Sequence, residues 1–246
     1  MPETIFSVQL FATCLVDAIR PAAGLATLRL LERLGVKVIV PSGQTCCGQP
    51  AFNSGCLADA RAMARYTIDL LEKSPVPIVV PSGSCGDMIV HRYRELLADD
   101  PAYASKAERV AARTYELSQY LSDVLKVQDV GAQCRRTITY HPSCHLLRGL
   151  GVRSAPSQLL DSIADARCVS LPGAEDCCGF GGTFAVKMGE LSSAMLNRKL
   201  DAIVESGADT VVACDAGCLM HIEGGLKRRG SNVVVRHLAE VLVESE

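Results

Sequence analysis

Cysteine is the residue type whose repetition in this chain points most directly to chemistry. Nine of the 12 cysteines belong to a pattern that repeats in two halves of the sequence: Cys14, Cys46, Cys47 and Cys85 in the first, and Cys144, Cys177, Cys178, Cys214 and Cys218 in the second, where Cys214 is the additional member. In each half a Cys-Cys-Gly tripeptide follows the first cysteine, after 31 residues in one case and 32 in the other. This matched spacing indicates a duplicated domain, with one thiol-rich site in each copy.

Composition narrows the classes of function. The chain has 246 residues, of which 48% are hydrophobic and 21% charged, so it can bury a sizeable core in one large or two small domains. A net charge of −2 argues against a broad nucleic-acid surface. No apolar run approaches the ~20 residues of a membrane span.

The start of the sequence, Met1 to Thr4, lacks the basic region of a signal peptide, so we expect a cytoplasmic protein. Stable disulfides are not expected in that compartment. The 12 cysteines therefore favour metal or redox chemistry.

Short β-branched apolar runs alternate with helical patterns along the chain. The runs are Ile5–Phe11, Val36–Val40, Val76–Val80, Thr137–Tyr140, Cys168–Leu171, Thr210–Ala213 and Val233–Val235, with a further short strand expected at Arg113–Tyr115 by analogy with the last. The clearest helical patterns are Leu57–Lys73 and Val186–Ser206. Strands separated by helices predict parallel βαβ units. We therefore expect an α/β fold of two tandem duplicated domains, residues 1–130 and 131–246, related by a pseudo-two-fold axis.

The repeated cysteines follow the first three predicted strands of each half. In open parallel sheets, functional sites lie beyond the carboxyl ends of the strands. Three loops that are distant in sequence should therefore converge in each half and form two thiolate-rich sites.

Several thiolates in one pocket repel each other unless a cation is present, and soft sulfur ligands select iron–sulfur clusters, zinc or Cu(I). Structural zinc sites usually bring their ligands in close pairs separated by two to four residues, and only Cys214 and Cys218 have such a spacing. Adjacent cysteines suit separate metal atoms of a cluster better than one tetrahedral ion. An iron–sulfur cluster is thus favoured, and zinc remains the alternative.

The other polar candidates are fewer. His145 and His221 lie close to proposed ligands and are candidate hydrogen-bond donors or proton carriers, and Asp215 is expected to cap a helix or handle a proton. Cys56, Cys134 and Cys168 lack counterparts and are interpreted as non-ligands, with Cys168 in the core of a strand. One helical face is also expected to be buried: Val186, Leu191, Met195, Leu196, Leu200 and Ile203.

Longer motifs surround the cysteines: Phe11-Ala12-Thr13-Cys14, Gln44-Thr45-Cys46-Cys47-Gly48-Gln49-Pro50, Pro81-Ser82-Gly83-Ser84-Cys85, His141-Pro142-Ser143-Cys144-His145, Cys177-Cys178-Gly179-Phe180-Gly181-Gly182-Thr183 and Cys214-Asp215-Ala216-Gly217-Cys218. With these motifs the chain resembles the cysteine-rich CCG domain, which is found in a subunit of heterodisulfide reductase and in the glycolate oxidase iron–sulfur subunit. Within that superfamily it is most similar to the lactate utilisation protein A family.

The resemblance implies an oxidoreductase component that acts with partner subunits. The implied reaction oxidises L-lactate, a 2-hydroxyacid, to pyruvate and passes the electrons on through clusters. The implied partners are a ferredoxin-like iron–sulfur protein and a third lactate-utilisation protein, and the location is cytoplasmic, either free or at a membrane surface through those partners. The alternatives are a thiol–disulfide redox subunit of heterodisulfide reductase type and a zinc-stabilised interaction module.

The resemblance also implies 4Fe–4S clusters of noncubane type, held by a set that ends in a close cysteine pair. This chain departs from that set, because the first half keeps only Cys85 and the second half spaces Cys214 and Cys218 one residue further apart. We therefore expect four thiolates in the first site and five in the second, with a noncubane cluster in the second.

Overall fold

Two parallel four-stranded sheets form the frame of the molecule in a computed structural model that describes residues 6–245. The first sheet has the order β2-β1-β3-β4 and the second the order β6-β5-β7-β8. The strands of the first are β1 Ser7–Leu10, β2 Lys37–Ile39, β3 Ile78–Val80 and β4 Thr114–Glu116. Those of the second are β5 Thr137–Tyr140, β6 Arg167–Val169, β7 Thr210–Ala213 and β8 Val234–His237.

Helices connect the strands. In the first half they are α1 Cys14–Ile19, α2 Pro21–Arg33, α3 Gln49–Asn53, α4 Leu57–Leu71, α5 Gly83–Asp87, α6 Tyr93–Leu96, α7 Ala104–Ala111 and α8 Leu117–Gln119. In the second half they are α9 Ala155–Asp161, α10 Thr183–Lys187, α11 Gly189–Glu205, α12 Ala216–Arg228 and α13 Leu238–Leu242. Three π-helical segments, Met88–Arg92, Tyr120–Val124 and His145–Gly149, complete the helical structure of the described residues.

The predicted α/β fold in two similar halves is confirmed. All four strands of each sheet are parallel, and the two sheets share one strand order, in which the first strand of each half pairs with the second and third. Each predicted run contains a strand or overlaps one, including the short strand expected near Arg113. Ile5, the first residue of the first predicted strand, lies outside the described residues.

The predicted buried face of the long helix in the second half is wrong at two positions. Val186 is 85% exposed and Leu191 is 50% exposed. The helix is interrupted at Met188, whose backbone φ of −123° and ψ of 50° separate α10 from α11. Val186 lies before this break, in α10. Within α11 the buried residues are Ser192, Leu196, Lys199, Leu200 and Ile203, and Leu191 lies outside that face.

The two halves contact each other through matched pairs of helices. Helix α13 of the second half packs on α2 of the first, and α8 of the first half packs on α9 of the second. In the same way α1 packs on α12, and α5 packs on the π-helical segment His145–Gly149. Each half thus offers the same elements to the other, as a pseudo-two-fold relation requires. This packing brings the carboxyl ends of the strands of both sheets toward a common interface.

A hydrophobic core crosses this interface. Leu30 and Leu31 of α2 belong to one buried cluster with Leu238 and Leu242 of α13. Since burial of apolar side chains is the main favourable term in folding, the two halves stabilise each other. The limits 1–130 and 131–246 remain a prediction, and we propose that the two units they define are not independent in stability.

Replacing Leu30 with alanine should lower the free energy of unfolding by about 2–5 kcal/mol, because it leaves a cavity in the shared core. The matched control is Leu25→Ala on the same helix, where the side chain is 53% exposed and the expected change is within about 0.5 kcal/mol. Chemical denaturation followed by circular dichroism measures both. Equal effects of the two substitutions would show that the shared core is not stabilising.

Candidate metal centre

Eight thiols from the two halves line one cleft. The cleft has a volume of about 190 Å³ and lies where the loops that follow the strands of both sheets meet. Its cysteines are Cys14, Cys46, Cys47, Cys85, Cys144, Cys177, Cys178 and Cys218. The two predicted thiol-rich sites therefore open into the same space.

Matched elements position the thiols in each half. Cys14 begins α1 directly after β1, and the hydroxyl of Thr13 caps that helix by accepting a hydrogen bond from the Val16 N–H. Cys85 lies in the first turn of α5, which Ser82 caps through a bond from the Cys85 N–H. Cys144 and Cys218 hold the corresponding places after β5 and β7 in the second half.

Glycine is required after each adjacent cysteine pair. Gly48 and Gly179 have φ values of 87° and 88°, in the left-handed region that side chains disfavour. A Cβ atom added to Gly179 would lie 2.6 Å from the carbonyl oxygen of Ser192. In this conformation the Gly48 N–H points to Cys46 Sγ at 3.5 Å, and the Gly179 N–H points to Cys177 Sγ at 3.3 Å.

The thiols of the first half share protons with one another. Cys46 accepts hydrogen bonds from Cys14 and Cys47, which lower the pKa of Cys46 to about 2. The same bonds raise the pKa values of Cys14 and Cys47, and burial raises them further. Cys47 Sγ lies 3.2 Å from Cys85 Sγ, which extends the row of sulfur atoms into the interior.

The second half repeats this arrangement. Hydrogen bonds from Cys144 and Cys178 lower the pKa of Cys177 to about 2, while the pKa values of Cys144 and Cys178 are raised. In each set, hydrogen bonds from neighbouring thiols thus favour the deprotonated form of the first cysteine of the pair. Further deprotonation is opposed by the negative charge already present. A bound metal cation neutralises this charge, so the remaining thiols release their protons when the metal binds.

The expected fifth thiolate of the second site, Cys214, lies elsewhere. Its side chain is fully buried in the shared hydrophobic core, and its Sγ atom lies 3.7 Å from the hydroxyl oxygen of Tyr140. Cys214 falls just before α12, whereas Cys218 lies one helical turn later and faces the cleft. Of the five cysteines expected in the second site, the structure brings four to the cleft and places Cys214 in the core.

The three predicted auxiliary residues have different positions. His145 lines the cleft, with its Nδ1 atom 3.6 Å from Cys144 Sγ. Asp215 also lines it, and its carboxylate accepts hydrogen bonds from the N–H and the hydroxyl of Ser84 at 2.8 and 3.2 Å, which joins the two halves. His221 is directed elsewhere, since its Nε2 atom lies 3.3 Å from Ser192 Oγ.

The remaining cysteines lie apart from the cleft, as expected of non-ligands. Cys56 is exposed at the start of α4, and Cys134 is buried in the shared core. Cys168 is exposed, which corrects the expectation of a core position, because its strand β6 forms an edge of the second sheet.

Two buried side chains near the second site were missed by the sequence interpretation. His141 is 1% exposed, and its ring belongs to a group with Cys178 and Cys218 in which all the potential ligand atoms lie within 4.8 Å of one another. Lys199, also 1% exposed, donates hydrogen bonds to the carbonyl oxygens of Gly173 and Ala174 in the loop before Cys177. The position of His141 directly after a strand was the available signal, whereas Lys199 lies in a helix without any local mark.

Two buried polar residues end the final strands of the two sheets: Glu116 is the last residue of β4, and His237 is the last residue of β8. The ring of His237 lies with Nε2 3.2 Å from the Pro81 carbonyl oxygen in the other half. Glu116 is fully buried, one carboxyl oxygen accepts bonds from the N–H and hydroxyl of Ser118, and the other has no partner among the described residues. Burial raises the pKa of Glu116 to about 7.

The fold and the duplicated thiol sites define a tandem cysteine-rich domain protein. The CCG cysteine-rich domain family matches the chain twice, over residues 8–90 and 138–223. A hypothetical protein from Helicobacter pylori has the same fold, with a TM-score of 0.63 at 12% identity over 96% of this chain. The chain spans 48% of that larger protein.

Proteins named lactate utilization protein A are similar over nearly the whole length. Those of Bacillus cytotoxicus and Bacillus subtilis are each 47% identical over 235 residues, and that of a Geobacillus species is 48% identical. In each case the match covers 96% of this chain and 98% of the relative. The chain therefore belongs to the lactate utilization protein A family. Within residues 6–245, none of the helices combines the length and the apolar character that a membrane crossing needs.

Substitution tests separate ligands from structural cysteines. Cys178→Ser should remove the metal of the second site, because it deletes a buried thiol from the row of sulfur atoms, whereas Cys214→Ser and Cys168→Ser should retain it. Metal analysis after anaerobic preparation gives the metal content per chain. Equal metal loss in Cys178→Ser and Cys214→Ser would contradict the assignment.

Glu116 should make stability depend on pH. Its pKa rises from 4.5 to about 7 on folding, so between these values the folded chain holds a proton that the unfolded chain has released. Stability from this group is present below pH 4.5 and falls as the pH rises to about 7, by at most about 3 kcal/mol. In Glu116→Gln this decline should be absent, so the difference in unfolding free energy between the parent protein and the variant should change across this pH range. A constant difference across this range would contradict the buried, protonated carboxyl.

Proposed function

We propose that this chain is an iron–sulfur subunit of a lactate-oxidising system and that it carries electrons through two metal centres facing one cleft. The observation that carries the proposal is the convergence of eight thiols from two duplicated halves, four from each. The name of the relatives at 46–48% identity supports lactate as the metabolite of the system.

The donor set fits the proposed clusters. Each half offers four thiols, of which two are buried and two are half-buried. Soft thiolate sulfur suits iron–sulfur clusters and zinc, and 4Fe–4S clusters take four cysteine ligands. When bound, such a cluster accepts and donates single electrons. The residues that would hold it are Cys14, Cys46, Cys47 and Cys85 in the first half, and Cys144, Cys177, Cys178 and Cys218 in the second.

The charges of the side chains that line the cleft favour electron transfer over the binding of an anionic substrate. Besides the thiols, the cleft is lined by the amides of Gln49 and Asn53, serine hydroxyls, His145 and the Asp215 carboxylate. The carboxylate of a 2-hydroxyacid would meet sulfur atoms and an aspartate rather than a fixed cation. We therefore propose that the hydroxyacid reacts with a partner subunit and that this chain receives its electrons.

The neighbouring residues would hold the sulfur ligands in place. The Gly48 and Gly179 N–H groups point to the first sulfur of each pair, and N–H bonds to sulfur tune the potential of a cluster. Tyr93 donates a hydrogen bond to the Cys47 carbonyl oxygen at 2.8 Å, which fixes the buried end of the first pair. Gln49 ties the same loop to the Ser84 carbonyl oxygen at 2.9 Å.

One observation favours a second candidate, thiol–disulfide chemistry of heterodisulfide reductase type. Both thiol sets open into the same cleft, so a small disulfide placed there would contact one set with each of its sulfur atoms. In both cases iron is bound, and the two functions differ in the oxidant or reductant that changes the redox state of the centres.

Anaerobically prepared protein should contain iron and acid-labile sulfide in each half. Its visible absorbance should bleach when lactate is added together with a ferredoxin-like partner and the third protein of the system, because electrons from lactate reach the clusters. The control is Cys47→Ser combined with Cys178→Ser, which removes a buried thiol from each set and should abolish both the iron and the bleaching.

Three outcomes decide between the functions. Bleaching by lactate supports the proposed electron carrier. Reoxidation of the reduced centres by a small disulfide, without any response to lactate, would replace it with thiol–disulfide chemistry. Zinc without sulfide after anaerobic reconstitution would overturn both and leave a zinc-stabilised interaction module.

A further inference from the structure

The two thiol sets differ in one buried side chain. Directly after β5, His141 is 1% exposed, and neither of its ring nitrogens has a hydrogen-bond partner among the described residues. A ring nitrogen lies within 4.8 Å of both Cys178 Sγ and Cys218 Sγ. The corresponding position after β1 in the first half is Phe11, which is also fully buried and carries no ligand atom.

A hydrogen bond to sulfur would satisfy only part of this imidazole. Neutral histidine has one N–H donor and one lone-pair acceptor. Donation to a thiolate uses the N–H and leaves the lone pair buried without a partner, which is unfavourable. Coordination to a metal uses the lone pair, which is the buried acceptor that a hydrogen bond to a thiolate leaves without a partner.

We propose that His141 is a nitrogen ligand of the metal centre in the second half. The inference rests on the proposed function in one respect, namely that this half binds a metal. Four thiols and one imidazole then give the second site five donors, against four in the first site. The two centres are inequivalent because of a histidine in place of a phenylalanine rather than because of an additional thiolate.

The consequence is chemical as well as geometrical. A 4Fe–4S cubane takes one protein ligand at each iron, so a fifth donor requires an iron with a different coordination from the other three. Imidazole is a neutral ligand, unlike thiolate, so it adds no negative charge to the second centre. Less negative charge favours the reduced state, so the second centre should be reduced at a higher potential than it would be with a fifth thiolate.

Spectroscopy of the second centre alone tests the ligand. Cys47→Ser disables the first site, and the chain is prepared with ¹⁵N-labelled histidine and ⁵⁷Fe. We expect pulsed electron paramagnetic resonance of the dithionite-reduced protein to show strong coupling to one histidine nitrogen. Mössbauer spectra of the same sample, which need no particular spin state, should show one iron distinct from the others.

The variants assign the nitrogen. His141→Phe, which introduces the residue of the first half, should abolish both the coupling and the distinct iron. The matched control His145→Gln alters the histidine next to Cys144 and should keep them. Circular dichroism reports whether each variant is folded. The nitrogen coupling in the labelled parent protein tests the ligand assignment without any substitution at position 141.

Failure of the inference and failure of the proposed function give different results. A parent protein that contains iron but lacks both the strong nitrogen coupling and the distinct iron overturns the ligand assignment alone. A coupling that persists in His141→Phe and disappears in His145→Gln also overturns it. A parent protein that binds neither iron nor another metal overturns the proposed function.

Discussion

Mutual repulsion among closely spaced sulfur atoms is the constraint on which the rest of this molecule depends. In each half, neighbouring thiols donate hydrogen bonds to the first cysteine of the adjacent pair and lower its pKa, while the pKa values of the donors are raised. A metal cation resolves this conflict, since thiolates bind it and release their protons. Inert buried cysteines would not need the helix caps of Thr13 and Ser82, the left-handed Gly48 and Gly179, or the hydrogen bond of Gln49 that hold the thiols in place.

The duplicated fold positions the thiols. Parallel strands place three loops at one edge of each sheet, and the packing of α13 on α2 and of α8 on α9 turns the two edges toward each other. Asp215 strengthens the contact by binding Ser84 of the other half, beside Cys85. The shared core and the shared cleft are therefore two results of the same packing, and damage to one should disturb the other.

Much of this architecture could be predicted because it rests on periodic signals. The α/β class, the two similar halves and the strands follow from runs of β-branched residues and from the repeated Cys-Cys-Gly spacing. The side-chain directions could not be predicted. Cys214 and Cys218 are four residues apart, and only the helix start at Ala216 turns one toward the core and the other toward the cleft. Likewise, the break at Met188 rotates Val186 to the surface, and the burial of Lys199 depends on carbonyl groups brought from a distant loop.

The two proposed metal centres, one in each half, would face a common cleft and should therefore influence each other magnetically. Electron paramagnetic resonance of the fully reduced protein tests this arrangement most directly, because two paramagnetic centres at such close range split each other's signals. We predict a split spectrum in the parent protein that collapses to an unsplit signal in Cys47→Ser, where only the second centre remains. Two independent, unsplit signals in the fully reduced parent protein would contradict the shared cleft.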